Sequence, residues 1–511
     1  INPRSFSWEL TPETHFDTPE AVFSYSSNGY GGLSRQLHSF IREHIVRGVW
    51  KKSPRPVLLN SWEACYFKID ERKLLQLAKA GAAVGIELFV MDDGWFSGRN
   101  DDTSSLGDWE PDPKKLPGGI VSLSKKIKAL GVDFGLWVEP EMISENSRLC
   151  QEHPNWAMMI PGHPHSEGRN QRLLDLCNPE VQQYVIDSMT KVFSSGEIRY
   201  VKWDMNRNFS DIYSPYLPAA KQGETAHRYV LGLYHIMDEL TTRFPEILFE
   251  GCSSGGNRFD LGILSYFPQI WASDNTDALC RTGIQNSYSY GYPLSVFTAH
   301  VSSCPNHQTL RITPLETRFQ VASFGILGYE CNLKDLSGSD LNAIREQIAL
   351  YKKWRDVFQF GTFYRGTENE DSDSETLSWT CVSPDGRRAV GLFFRRLTTP
   401  NQSHDWYRPV GLLPDLKYHF YGRNIKYNLK DFGDLVNTVS PVHIKQGSAL
   451  QEILSRFVNM DGEKEDLTAY GDTLMLAGIA LKPAFAGTGY NSDTRLFPDF
   501  SSRMYFMEAV E

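Results

Sequence analysis

Carboxylates, tryptophans and a lysine recur in this chain in short clusters, each directly after a short apolar run. The clusters read Asn60-Ser61-Trp62-Glu63, then Asp92-Asp93-Gly94-Trp95, then Trp137 with Glu139 and Glu141. Lys202-Trp203-Asp204-Met205-Asn206, Gly251-Cys252-Ser253-Ser254-Gly255-Gly256 and Asp274-Asn275-Thr276-Asp277 follow. Five of the six carry carboxylates, and the other is a glycine–serine loop. A single aspartate after a strand is ordinarily the N-cap of the next helix. Five acidic strand ends exceed what capping explains and read as one site. Residues two apart on a strand face the same way, so Lys202 and Asp204 point together and the cation favours an ionised Asp204. A buried structural Lys–Asp pair is the competing reading.

The chemistry narrows by exclusion. There is no HExxH, no nucleophile-elbow serine and no Walker loop; residues 251–256 lack the Lys-Ser/Thr ending that holds a nucleotide phosphate. Asp92-Asp93 could hold magnesium, but Lys202 would share the bowl and repel the metal. No metal and no cofactor are expected. Several carboxylates beside tryptophans suit glycoside hydrolysis, which needs one carboxylate and one carboxylic acid flanking an anomeric carbon. The C–H face of a sugar ring also packs on flat aromatic rings, and 13% of the residues are Phe, Trp or Tyr.

The elements that must position these residues alternate. Apolar runs lie at 56–60, 86–91, 133–138, 200–203, 247–250, 270–273 and 294–300, with a weaker eighth at 326–331. Helical periods lie at 71–83, 121–129, 179–193, 226–240 and 341–354. Short strands alternating with helices predict a parallel sheet, and about eight units predict an α/β fold closed as a (β/α)8 TIM barrel. Its active site would lie where the strand C-termini converge. After residue 358 short segments such as Ala389-Val390-Gly391-Leu392-Phe393-Phe394 and Leu474-Met475-Leu476-Ala477 predict an all-β sandwich. Residues 1–50 read as the end of an N-terminal β domain with a strand at 5–10 and a linking helix near 33–46; residues 51–357 read as the barrel and 358–511 as the C-terminal β domain. The acidic stretch 368–375 reads as a solvated loop.

Composition agrees with an ordinary folded enzyme. The chain has 511 residues, 41% of them hydrophobic, and a formal net charge of -10. That balance argues against nucleic acid, which needs clustered Lys and Arg. No run of about 18 apolar residues exists, so no membrane span is expected. The eight cysteines are dispersed without a CxxC pair. Two sequons, Asn208-Phe209-Ser210 and Asn401-Gln402-Ser403, tilt the expected location toward secretion and away from the cytoplasm. The chain opens on Ile1, which reads as a processed or partial chain.

Taken in order, the motifs above, together with Met91-Asp92-Asp93-Gly94-Trp95-Phe96, Gly135-Leu136-Trp137-Val138-Glu139-Pro140-Glu141-Met142, Ser166-Glu167-Gly168-Arg169-Asn170 and Trp271-Ala272-Ser273-Asp274-Asn275-Thr276-Asp277, resemble glycoside hydrolase family 36, the clan D α-galactosidases. The resemblance covers nearly the whole chain. It implies a retaining exo-glycosidase that releases terminal α-linked galactose from melibiose- or raffinose-type sugars through a covalent intermediate. It implies Asp204 as nucleophile and Asp274 as acid/base. It implies that Asp92 and Asp93 bind sugar hydroxyls, and that Trp62, Trp137, Arg169, Lys202, Asn206, Cys252 and Gly255 line the galactose pocket. Galactose differs from glucose by an axial 4-hydroxyl, and buried acceptors that fit it would be left unpaired by glucose.

Family members also carry a large N-terminal β domain, of which this chain has only the expected last strand and linking helix; the family implies a homo-oligomer, a tetramer. Three alternatives stay open at this point. An α-N-acetylgalactosaminidase would need room at the 2-position, where Cys252 suits a free hydroxyl better. A raffinose synthase-like transferase would share the covalent intermediate. A silent galactose-binding protein would require the loss of Asp204 or Asp274, and both are present.

Overall fold

Eight apolar runs fold as parallel strands that close on themselves. They are β1 (Leu58–Asn60), β2 (Leu88–Met91), β3 (Asp133–Val138), β4 (Ile198–Trp203), β5 (Leu248–Gly251), β6 (Gln269–Trp271), β7 (Phe297–Ser302) and β8 (Ile326–Glu330). Each pairs in parallel with its neighbours in the sequence, and β8 closes onto β1, so the expected TIM barrel is the observed fold. The computed structural model describes residues 5–510 apart from 167, 367–373, 400–403, 439, 456 and 486–492. Glu167, the sequon at 401–403 and most of the acidic stretch 368–375 therefore lie outside the described residues. Among the described residues no helix is long and apolar enough to cross a membrane.

The barrel is plugged below and polar above. Leu58, Leu88, Val90, Tyr200 and Leu248 fill its lower interior, as parallel strands require when both faces are covered. Two residues beyond Tyr200 on the same face comes Lys202, and two further on comes Asp204; period two carries the strand from apolar plug to polar mouth.

Helix α1 (Gly29–Phe40) precedes the barrel and α2 (Glu71–Val84), α3 (Gly119–Lys128), α4 (Pro179–Phe193) and α5 (Thr225–Arg243) wrap it. After a short turn at Leu261–Leu264 come α6 (Ala278–Tyr288), α7 (Leu315–Ser323) and α8 (Gly338–Phe360). Several start on the caps their sequences offer: the side chains of Asp70, Asn178, Asp277 and Ser337 accept from Lys73, Glu180, Cys280 and Asp340 N–H. Helices α6 and α7 were not legible as periodic stretches. Thr282 and Gln285 of α6 are buried, and α7 buries Thr317, Phe319, Gln320, Val321, Ala322 and Ser323, so neither shows an apolar stripe against a polar face.

Beyond α8 lie β9 (Thr362–Arg365), β10 (Thr376–Val382), β11 (Arg388–Arg395), β12 (Trp406–Tyr407), β13 (Lys417–Gly422), β14 (Asp466–Tyr470), β15 (Ile479–Ala480) and β16 (Ser501–Ala509). Six of them form one antiparallel sheet in the order β9-β10-β11-β16-β13-β14. Alternation gives the sheet two apolar faces. Val390, Leu392, Phe394, Met504 and Phe506 join the barrel core, where the Phe506 and Trp354 rings lie 4.9 Å apart. Ala389, Phe393, Tyr505 and Met507 face the opposite way, toward Tyr407, Ile479 and Leu474, so the β12–β15 ladder closes the second layer.

Two local expectations fail. Residues 474–477 are not a strand: Gly471–Leu476 is a short helix. Leu and Met are good helix formers, and a four-residue apolar run carries no period that separates strand from helix. Residues 5–10 form no strand either; Ser7 N–H donates to Gly223 O, but no neighbouring strand offers a ladder. The expected linking helix is present as α1, continued by a wider turn at Ile41–Ile45.

Candidate active site

The strand C-termini deliver the clustered residues to one mouth. Glu63 follows β1, Asp92 and Asp93 follow β2, Glu139 follows β3 and Asp204 follows β4. Cys252 follows β5, Asp274 follows β6, His300 lies two residues before the end of β7, and Glu330 ends β8.

Asp204 is nearly enclosed, at 5% exposure, and surrounded by donors. Trp137 Nε1 donates to Oδ2 at 3.1 Å and Asn206 Nδ2 to the same oxygen at 2.7 Å. Met205 N donates to Oδ1 at 2.8 Å and Ser254 N at 3.4 Å. Burial alone would raise this carboxyl, but the Lys202 charge and the Cys252, Trp137 and Asn206 donors hold it below the ordinary aspartate range. Burial and the Asp204 charge push the Cys252 thiol well up, so it stays a protonated donor. Trp137 is in turn seated by Trp95, whose Nε1 donates to Trp137 O at 2.9 Å. Behind Asn206, Glu139 accepts from its backbone N–H and from Gln171 Nε2 at 3.2 Å. Burial, then the charge of Asp204, pushes Glu139 up to about 8, so it is neutral at pH 7.

Asp274 meets the opposite environment. Burial and then the Asp204 charge raise its carboxyl, against the pull of Lys202 and of the Trp271 indole, which donates to Oδ1 at 2.8 Å. The loop after β5 lies against it because Gly255 has φ +87°, and a Cβ there would stand 2.9 Å from Ser273 Cα and 3.0 Å from Asp274 N. Only glycine allows both that backbone conformation and that approach.

The paired aspartates divide. Asp92 Oδ2 accepts from Asn60 Nδ2 at 2.7 Å and Lys202 Nζ at 3.1 Å, while among the described residues Oδ1 accepts only the Asp93 N–H at 2.9 Å. Lys202 therefore makes its ion pair with Asp92 and acts on Asp204 as a nearby charge. Asp93 takes Arg99 Nε at 3.0 Å and Nη2 at 2.8 Å, with the Gly94 N–H at 2.6 Å. Burial raises Asp93 despite Arg99. Each carboxylate faces a cation, and among the described residues no His, Cys, Asp and Glu group is arranged to hold a metal.

Two expected residues stand farther out. Trp62 is half-buried and its ring packs edge-on against Tyr66 and Phe67, each 5.2 Å away. Arg169 is exposed, at φ +51°, and its guanidinium bonds to no described residue. Other contributors carried no strand-end signal. Arg99 comes from the loop after β2, and Arg258 clamps buried Glu141 at 2.8 and 2.9 Å. His307 pairs with Glu63 at 3.1 Å from a loop after β7. Asp277, the last residue of the Asp274 motif, caps α6 and binds Arg311 at 2.6 Å, so its task is structural.

Comparison with known proteins agrees with this architecture. The melibiase family model matches residues 15–361, and the glycosyl hydrolase family 36 C-terminal domain matches residues 376–507. α-Galactosidase AgaA of Geobacillus stearothermophilus is 46% identical over 425 residues, covering 83% of this chain and 58% of its own length. α-Galactosidase Mel36A of Lactobacillus acidophilus is 46% identical over 418 residues, 82% of this chain and 57% of its own. The crystal structure of AgaA superposes with a TM-score of 0.86 at 41% identity, covering 100% of this chain and 63% of that one. Variants of AgaA have been crystallised with raffinose and with stachyose. The chain thus spans less than two thirds of the length of these relatives.

Proposed function

This chain belongs to the melibiase family of glycoside hydrolases, and from that premise we propose that it is a retaining α-galactosidase acting on raffinose-type sugars. Asp204 attacks the anomeric carbon while Asp274 gives its proton to the leaving oxygen. A galactosyl-Asp204 ester forms; Asp274, now a carboxylate, takes a proton from water, which attacks the same carbon and frees Asp204. Asp92, with an acceptor position open on Oδ1, takes a sugar hydroxyl. Asp93, braced by Arg99, forms the wall beside it.

The observation that carries the reading is the opposed electrostatics of the two aspartates: one carboxyl is held low, the other is pushed up, at one barrel mouth. Carboxyl groups driven apart in this way divide into nucleophile and acid. The relatives named above, which act as α-galactosidases by name, support the galactose preference. Asp204→Ala should abolish hydrolysis of raffinose and of 4-nitrophenyl α-galactoside while keeping the circular dichroism of the unaltered protein. A folded Asp204→Ala protein with near-normal turnover would refute the assignment.

A further inference from the structure

Trp271 ends β6, three residues before Asp274, and no role above accounts for how firmly its ring is held. His300 lies against it with ring centroids 4.4 Å apart. The Arg281 guanidinium stands 4.5 Å from the same ring and Lys202 Nζ 5.8 Å. These holders are fixed in turn. His300 Nδ1 binds Glu330 Oε2 at 2.8 Å, and its ring fills space left by Gly328 on the neighbouring strand, where a Cβ would come within 2.4 Å of it. Arg281 donates to Asn275 O at 2.8 Å and Thr298 O at 3.1 Å. Cations near an indole ring favour its negative face, so the arrangement orients the ring and aims its N–H edge at Asp274.

We infer that Trp271 is a positioning residue for the acid/base: its indole N–H occupies Asp274 Oδ1 and leaves Oδ2 as the oxygen that carries the proton to the leaving group. This rests on the reading of Asp274 given under Proposed function. The described residues give Oδ2 no donor, and an oxygen already accepting an N–H is the poorer seat for the proton. When Asp274 has given its proton away, the same N–H binds the resulting carboxylate more strongly than it bound the acid. The other charged or titratable groups acting on Asp274 are Asp204, Lys202, Glu330, Arg281, His307 and Cys252, and none of them donates to Oδ1.

Trp271→Phe keeps an aromatic ring against His300 and Arg281 and removes the N–H donor. The test compares kcat/KM on raffinose, whose leaving sugar needs a proton, with 4-nitrophenyl α-galactoside, whose leaving group does not. The variant should lose about tenfold or more on raffinose and much less on the nitrophenyl substrate. The basic limb of its raffinose profile should move up by about one pH unit, because a donor to the carboxylate is gone. Equal losses on both substrates with an unmoved basic limb would overturn the role of Trp271 while leaving the α-galactosidase reading intact. An unaltered chain that hydrolyses neither substrate would overturn both. A second measurement is independent of how Trp271→Phe folds. In the unaltered protein one indole 15N resonance should titrate with the basic limb, and that titration should vanish in Asp274→Asn. A set of indole resonances unaffected by Asp274→Asn would overturn the inference.

Discussion

Trp137→Phe isolates one of the four N–H donors that the described residues give Asp204. The indole bond to Oδ2 is 3.1 Å long, longer than the 2.7 Å bond from Asn206 to the same oxygen. A hydrogen bond to a charged group contributes about 1.5–3 kcal/mol, and the longer bond belongs at the low end. About 1.5 kcal/mol corresponds to about one pH unit. The sign follows from the role proposed for Asp204. It must be ionised to attack, and its folded carboxyl is held below the ordinary value, so activity is present above that value and lost as pH falls through it. Removing the donor raises the value, so loss should begin about one unit higher. The assay is kcat/KM on 4-nitrophenyl α-galactoside across pH, with a thermal melt to show that the protein remains folded around the smaller ring. An acidic limb that stays in place while activity drops evenly at every pH would show that the indole N–H does not stabilise the ionised nucleophile. A limb moving to lower pH would refute the electrostatic reasoning outright.

Two further outcomes follow from the packing. Lys202 and Asp92 form an ion pair with side chains 9% and 5% exposed, so Lys202→Met should destabilise the fold by about 3–5 kcal/mol, seen in denaturation; adding Asp92→Asn should recover part of that loss. Gly255→Ala must relieve both a φ of +87° and a 2.9 Å approach to Ser273 Cα; displacing the Asp274 loop by about 1 Å should cost about a hundredfold in kcat/KM, with little change in circular dichroism.

The barrel and the mouth of its site were legible because both follow from local rules. The parallel strands are almost entirely buried and read as short, largely apolar runs, and the residue after each falls at the mouth whatever the loop does next. That logic placed Asp92, Asp204, Cys252 and Asp274 directly after barrel strands, where the structure also has them. It could not find Arg99, which folds back onto Asp93 within one irregular loop, or the seating of Trp271 by His300, which depends on how neighbouring strands pair. The pairing of Gly328 with His300 is a matter of register across two strands, and no spacing along one strand encodes it. Helix α7 escaped for a related reason. It is enclosed by the barrel and the C-terminal sheet, with Thr317 and Gln320 bonded to Ser502, so its polar residues point inward. Lys202 shows the limit of reading a face: alternation set it on the same side as Asp204, yet its ion pair forms with Asp92, which follows another strand.

The central claim is that Asp204 becomes covalently bonded to the sugar. A fluorinated galactosyl fluoride that slows the second step should inactivate the enzyme and leave one galactosyl-sized mass increment, which peptide mapping should locate on Asp204. Attachment to Asp274 or to any other carboxylate, or a first-formed product of inverted anomeric configuration, would contradict the account.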